Sequence, residues 1–260
     1  MTLDGARNFK LTIAYDGTLF LGWQRQAIGP TIQQTLEDAL AKLCGHEITV
    51  FASGRTDTGV HAQAQVVNFF TSSSRTPSEL VKGGNAILPK TIAILSAQEA
   101  PEDFNARYSA KGKTYAYYYY AAKIRDPLLI TRAWHVGPNL DWALMEENLS
   151  HLIGSRDFKS LASKGSETKS TIRTIWQAHI TSREENIKKL TITGSGFLRH
   201  MVRTIAGTLH LIGRKRLSPD YLNLVLDSLD RAKAGPVAPP HGLYLEKVFY
   251  QPFSGQNDAP

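Results

Sequence analysis

An arginine and an aspartate stand two residues apart in the stretch Ser53-Gly54-Arg55-Thr56-Asp57-Thr58-Gly59-Val60-His61-Ala62. A carboxylate can act as a nucleophile, and a guanidinium nearby holds anions or favours the carboxylate's charged form. The β-branched run Ile48-Thr49-Val50-Phe51 leads into the stretch, and Val66-Val67-Asn68-Phe69-Phe70 leads out. Such runs read as strands, with the glycines marking a turn between them. Arg55 and Asp57 are thus expected on a turn at the end of a rigid strand, where loops commonly carry function. The same two residues would also suit a structural turn, with Asp57 closing an Asx-turn and Arg55 pairing with a surface acid.

Other reactive groups are sparse. The chain shows no P-loop, no dinucleotide-binding glycine pattern and no cysteine–histidine spacing for zinc. His61 and His200 read as structural. Arg203 falls on a helical repeat made by Leu198, Met201, Val202, Ile205, Ala206, Leu209 and Ile212. At 100° per residue it lies roughly 130° from the centre of that apolar stripe, facing solvent or a cleft. Thr114-Tyr115-Ala116-Tyr117-Tyr118-Tyr119-Tyr120 reads as a strand. Alternation puts Tyr115, Tyr117 and Tyr119 on one face, leaving Tyr118 and Tyr120 as the expected core face.

The elements that must hold these groups repeat loosely in two halves. In the first, Phe9–Tyr15 alternates as a strand, and Thr31 with Gln34 opens a helix that Gly45 ends. Thr76-Pro77-Ser78-Glu79 starts a second helix, and Ile92–Leu95 is a further strand. In the second half, Asp141 caps a helix, Thr171–Ser182 and Lys188–Thr193 form a hairpin, and Gly242–Tyr250 closes the chain as a strand. This mixture predicts an α+β fold with largely antiparallel pairing, divided into residues 1–107 and 108–260. The segment 163–170 and the tail after Phe253 read as loose.

At 260 residues and 42% hydrophobic, the chain can bury a core, and no apolar run reaches the ~20 residues that span a bilayer. The first seven residues lack the apolar centre of a signal peptide, and Cys44 is the only cysteine. Both features fit a reducing cytoplasm. Lys and Arg exceed Asp and Glu by seven. The excess is clustered: Arg107, Lys111, Lys113, Lys123, Arg125 and Arg132 face one acid, Asp126, and Arg156, Lys159, Lys164, Lys169 and Arg173 face Asp157 and Glu167. Clustered bases interleaved with aromatics form the footprint of an RNA partner; a solvated basic face has the same composition.

The segment Gly54-Arg55-Thr56-Asp57-x-Gly59-Val60-His61 resembles the signature of the TruA family of tRNA pseudouridine synthases. Four further segments agree in order: Tyr15-Asp16-Gly17 with Gly22-Trp23-Gln24-Arg25-Gln26, Phe104-Asn105-Ala106-Arg107, Met201-Val202-Arg203 and Gly242-Leu243-Tyr244-Leu245. Thr58 stands where the family often has alanine. The resemblance implies two similar ferredoxin-like α/β halves that share one continuous sheet, with an active-site cleft between them. It implies isomerisation of uridine to pseudouridine at positions 38, 39 and 40 of the tRNA anticodon stem-loop, by a homodimer that needs no cofactor. Asp57 takes the family's nucleophile position, and Arg203 its active-site arginine. Tyr115 takes its active-site tyrosine, a platform for the flipped base. Arg55 is implied to hold flipped nucleotides or phosphate. Leu245 lines the uracil pocket or is ordinary core. Whether Asp57 attacks C6 of the base or C1′ of the sugar stays open.

A rival reading is a non-catalytic RNA-binding protein with an RRM-like sheet. It accounts for the charge and the tyrosines but not for Gly54–His61. A glycoside hydrolase would want a second catalytic acid, and none stands out.

Overall fold

The computed structural model describes residues 5–163, 165 and 168–255; Lys164 and Glu167 of the second basic cluster, with much of the segment read as loose, lie outside them. The chain divides into two units: residues up to Lys111 joined by those from Leu245 onward, and residues Gly112–Tyr244.

The first unit begins with β1 (Arg7–Tyr15), whose apolar residues Phe9, Leu11 and Ile13 alternate into the core. α1 (Ile32–Cys44) follows. Its cap Thr31 accepts a hydrogen bond from the Gln34 amide at 3.3 Å, and Gly45 ends it at φ 81°. Ile32, Leu36, Ala39 and Leu40 form the buried stripe expected at helical spacing. Next come β2 (Phe51–Ala52) and β3 (His61–Thr71). The expected strand from Ile48 is shorter than its composition suggests; Ile48 and Val50 are buried, but only Phe51 and Ala52 pair, against Asn68 and Val67. α2 (Pro77–Ile87) carries a complete capping box between Thr76 and Glu79. β4 (Ile92–Ala100) returns beside β1. This is a βαββαβ plan in which β3 lies between β1 and β2 and every pairing is antiparallel, the ferredoxin-like order.

The second unit contains β5 (Gly112–Tyr120), β6 (Trp134–His135), α3 (Trp142–Leu149), β7 (Gly154–Asp157), β8 (Ile172–Glu184), β9 (Ile187–Gly194), α4 (Met201–Gly213) and α5 (Tyr221–Ser228). Its sheet runs β5-β9-β8-β7, antiparallel throughout, with β6 added parallel to β5. Tyr117 and Tyr119 are fully buried, and the Tyr119 hydroxyl donates to the Ala206 carbonyl of α4 at 3.0 Å. The core face of β5 is therefore Tyr115, Tyr117 and Tyr119. Tyr118 and Tyr120, the residues expected to pack inside, are half-exposed, because α4 covers the opposite face of the strand. α4 itself starts three residues later than its periodicity suggests. Leu198 is buried but precedes the helix, and His200 enters it at φ 62°, a left-handed conformation that interrupts the helical ladder.

β10 (Leu243–Phe249) is the last strand among the described residues. From Leu245 onward it is grouped with the first unit, beside β3, although sequence order assigns it to the second half. Two bonds tie its end there: the Lys111 amide donates to the Phe249 carbonyl at 2.7 Å, and the Tyr250 hydroxyl to the Ala106 carbonyl at 2.8 Å.

Candidate active site

In the first unit, Arg55 and Asp57 stand together on the turn from β2 to β3. Arg55 is exposed and Asp57 half-exposed, while Ser53 and Thr56 between and before them are buried. The alternation follows from how the turn is held. The Thr56 hydroxyl pairs with the Tyr15 hydroxyl at 2.8 Å. The Ser53 hydroxyl donates to Gln65 Oε1 at 2.7 Å, and Gln65 Nε2 donates back to the Gly54 carbonyl at 2.8 Å. The Val60 amide closes the turn on the Asp57 carbonyl at 3.1 Å. Tyr15 is so deeply placed that burial pushes its phenol up to about 12, against the opposing hydrogen bonds from Thr56 and Gln65.

The loop from residue 16 to residue 23 clamps the turn from outside. The Trp23 amide donates to the Thr56 carbonyl at 3.0 Å. Gly22, at φ +87°, lies so near that a Cβ there would stand 2.8 Å from the Thr56 carbonyl oxygen and 3.1 Å from the Asp57 carbonyl carbon. A Cβ at Gly17 would collide with the Val60 carbonyl. The two glycines of this motif are thus spaces for main chain. Arg25 meets the nearly buried Glu37 of α1 at 2.8 Å, and Glu37 also accepts the Val50 amide at 3.0 Å. His61 is 1% exposed, and its Nδ1 accepts the Gly17 amide at 3.1 Å and lies 3.1 Å from Asp16 Oδ1.

In the second unit, Tyr115 is buried on β5 and meets the Phe197 ring edge-on at 5.1 Å. Arg203 is half-exposed in the first turn of α4, amid buried neighbours, which agrees with its angle from the apolar stripe. Its Nε donates to the Ala238 carbonyl at 2.7 Å, and the Ala238 amide donates to the Arg203 carbonyl at 3.1 Å. The segment carrying Ala238 is fastened along α4. The Gly235 amide donates to the Thr208 hydroxyl at 2.9 Å, and the Tyr117 hydroxyl donates to the Pro239 carbonyl at 2.8 Å. A Cβ at Gly207 would collide with the Pro236 carbonyl, so that glycine lets the segment lie on the helix. Burial drives the Tyr117 phenol well above its ordinary value, with Arg203 opposing. The strap from residue 234 to 242 escapes sequence reasoning, since nothing local marks Tyr117 and Thr208 as its anchors. Leu245 is fully buried on β10, in the first unit.

Among the described residues, no group of three or more His, Cys, Asp or Glu side chains could hold a metal ion, and no helix is long and apolar enough to cross a membrane. The first unit thus offers a carboxylate on a main-chain-held turn beside the exposed Arg55, and the second unit, by itself, an arginine and an aromatic ring held on fixed elements.

A family model described as tRNA pseudouridine synthase matches residues 11–109 and 149–251. The match includes Arg55, Asp57, Arg203 and Leu245, whereas Tyr115 falls between its two segments. The chain belongs to the TruA family of tRNA pseudouridine synthases, and its activity is that of an isomerase that makes pseudouridine in tRNA. It is similar to the tRNA pseudouridine synthase A 2 of Clostridium perfringens, with 45% identity over 94% of this chain and the whole of that protein. It is similar to the tRNA pseudouridine synthase A of Caldicellulosiruptor bescii at 46%, with the same coverage. The Neisseria meningitidis serogroup B protein of that name is 41% identical, over 94% of this chain and 92% of its own.

Proposed function

We propose that this chain converts uridines 38, 39 and 40 of the tRNA anticodon stem-loop to pseudouridine, with Asp57 as the nucleophile. The observation that carries the reading is that Asp57 stands half-exposed on a turn fixed by main-chain hydrogen bonds and by the buried Tyr15, Thr56 and Gln65 side chains. The reaction breaks the N1–C1′ bond, turns the uracil and joins C5 to C1′. It needs a nucleophile that holds one fragment during the rotation, and a carboxylate can do so by covalent attachment, as in retaining glycosidases. Attack at C6 and attack at C1′ both use the same carboxylate.

Flipping the base out of its stack costs a few kcal/mol. A ring under it returns ~1–3 kcal/mol, and Tyr115 is the proposed platform. Arg203 is the proposed cation that favours the charged nucleophile, and Arg55 the contact to flipped nucleotides or phosphate. Leu245 is proposed to line the uracil pocket. The working form is proposed to be a homodimer in a reducing cytoplasm, consistent with a chain whose only cysteine is Cys44. The RRM-like alternative loses its support, because family membership accounts for Gly54–His61 and that alternative does not.

Incubation with tRNA that lacks pseudouridine, followed by mapping of modified positions, tests the assignment. Pseudouridine confined to 38, 39 and 40 is the expected outcome; modification elsewhere in the tRNA would overturn the positional reading.

A further inference from the structure

Beside Tyr115, the second unit gathers arginines whose charge no described carboxylate neutralises. Arg156 on β7 and Arg173 on β8 are directly opposed in the antiparallel ladder. Like charges in that position destabilise a sheet. Neither of them, nor Arg199, has a carboxylate within ion-pair distance among the described residues.

Arg173 is the most constrained of the three. It is half-buried, and burial disfavours its charge. Its Nη1 donates to the carbonyls of Ser170 at 2.9 Å and Ile172 at 2.6 Å, and its Nη2 donates to the Thr168 hydroxyl at 3.2 Å. All its partners among the described residues are neutral oxygens. They aim the guanidinium without cancelling it, and a desolvated cation left in that state is costly. Arg156 likewise bonds only a neutral oxygen, Asn223 Oδ1 at 3.2 Å.

The location is specific. A Cβ built on Gly196 would stand 3.6 Å from Arg173 Nε, so the guanidinium lies against that glycine. The next residue, Phe197, packs on Tyr115. The Ser163 amide donates to the Arg199 carbonyl at 3.1 Å, which brings Arg199 onto the same loop cluster.

We propose that Arg173, flanked by Arg156 and Arg199, grips a backbone phosphate of the tRNA next to the nucleotide whose base meets Tyr115. The inference rests on the tRNA and Tyr115 readings above and adds the phosphate subsite to them. A guanidinium fork matches two phosphate oxygens, and an incoming phosphate supplies the anion that the ladder lacks.

The test is equilibrium binding of unmodified tRNA between ~50 and ~200 mM salt by wild type, Arg173→Gln, Arg156→Gln and Arg173→Lys, each checked by thermal unfolding. Each Gln variant is expected to lower the slope of log K against log salt by ~0.7–0.9. Arg173→Lys is expected to keep the slope and lose part of the affinity, because the charge stays and the fork goes. Arg156→Gln guards against local unfolding in Arg173→Gln, since glutamine can still reach Asn223; if Arg173→Gln unfolds early, Arg156→Gln decides. A wild-type slope retained by the folded Gln variants would overturn the subsite. A wild type whose binding ignores salt would overturn the underlying tRNA-contact reading instead.

Discussion

The turn that carries Asp57 and the helix that carries Arg203 are held by opposite strategies. The turn is clamped by close approach of main chain to main chain, with Gly17 and Gly22 leaving room and Thr56 anchored inward. Arg203 is held through its own guanidinium, on the carbonyl of a strap that Tyr117 and Thr208 fasten from elsewhere in the sequence. The position of Asp57 therefore depends on glycines that leave room for main chain, and the aim of the Arg203 guanidinium on hydrogen bonds from distant parts of the sequence. The first should fail by steric intrusion, and the second by loss of particular polar partners.

The largest effect is expected at Asp57, the proposed nucleophile. Asp57→Asn is nearly isosteric and cannot supply an anionic nucleophile, so turnover should fall on the order of 10⁴-fold or more, as when other enzymes lose theirs. tRNA binding should persist. Clear pseudouridine formation by a verified Asp57→Asn protein would remove Asp57 from that role.

Tyr115 tests the second region. Tyr115→Phe keeps the ring and loses the hydroxyl. The C5 proton needs an acceptor, and if the hydroxyl takes it, single-turnover rates should fall ~10²–10⁴-fold. The further step from Phe to Leu reports the platform, at ~1–3 kcal/mol. A Phe variant at wild-type rate would leave a stacking platform only; wild-type rates in both variants would take Tyr115 out of the site.

Gly17→Ala breaks the main-chain clamp directly. Its Cβ would be forced against the Val60 carbonyl, at a cost of ~1–3 kcal/mol. Displacing the turn by ~1 Å should cost about 10²-fold in turnover. Denaturant unfolding and kcat, measured together, check both; a variant with unchanged kcat and stability would show that the clamp is dispensable.

The smallest effect concerns acid sensitivity, which the comparison places in the second unit. His210 on α4 packs on the Trp134 ring at 4.5 Å. Burial first, then Arg214 and Arg216, push its imidazole down to about 4. The folded value lies below the ordinary ~6.5, so the unfolded chain takes up the proton first. The stabilisation is complete above ~6.5 and is lost as pH falls toward the folded value. Discounted for half-exposure, it is worth ~1 kcal/mol. In His210→Gln the decline in unfolding free energy between pH ~6.5 and ~4 should be shallower by about that amount. An identical pH profile would show that His210 does not contribute to acid sensitivity.

Much of this was legible along the chain. Hydrophobic periodicity and capping residues marked α1 and α2, because those signals act within a few residues. The turn around Asp57 was legible for the same reason: glycines, a carboxylate and two β-branched runs are local features. The angle of Arg203 from its helix stripe also followed from spacing alone. Tertiary structure decided what spacing could not. Alternation along β5 separates the tyrosines into two faces but does not say which face α4 covers, and the buried one proved to be that of Tyr115, Tyr117 and Tyr119. Periodicity ran α4 back to Leu198, since a buried leucine in a turn looks like one in a helix; the left-handed His200 ended it. The strap on Arg203 joins Tyr117, Thr208 and Ala238, and the opposed Arg156 and Arg173 stand on strands joined through a loop. Such pairings are set by where the folded chain brings distant carbonyls and cations together, and no local propensity encodes that meeting.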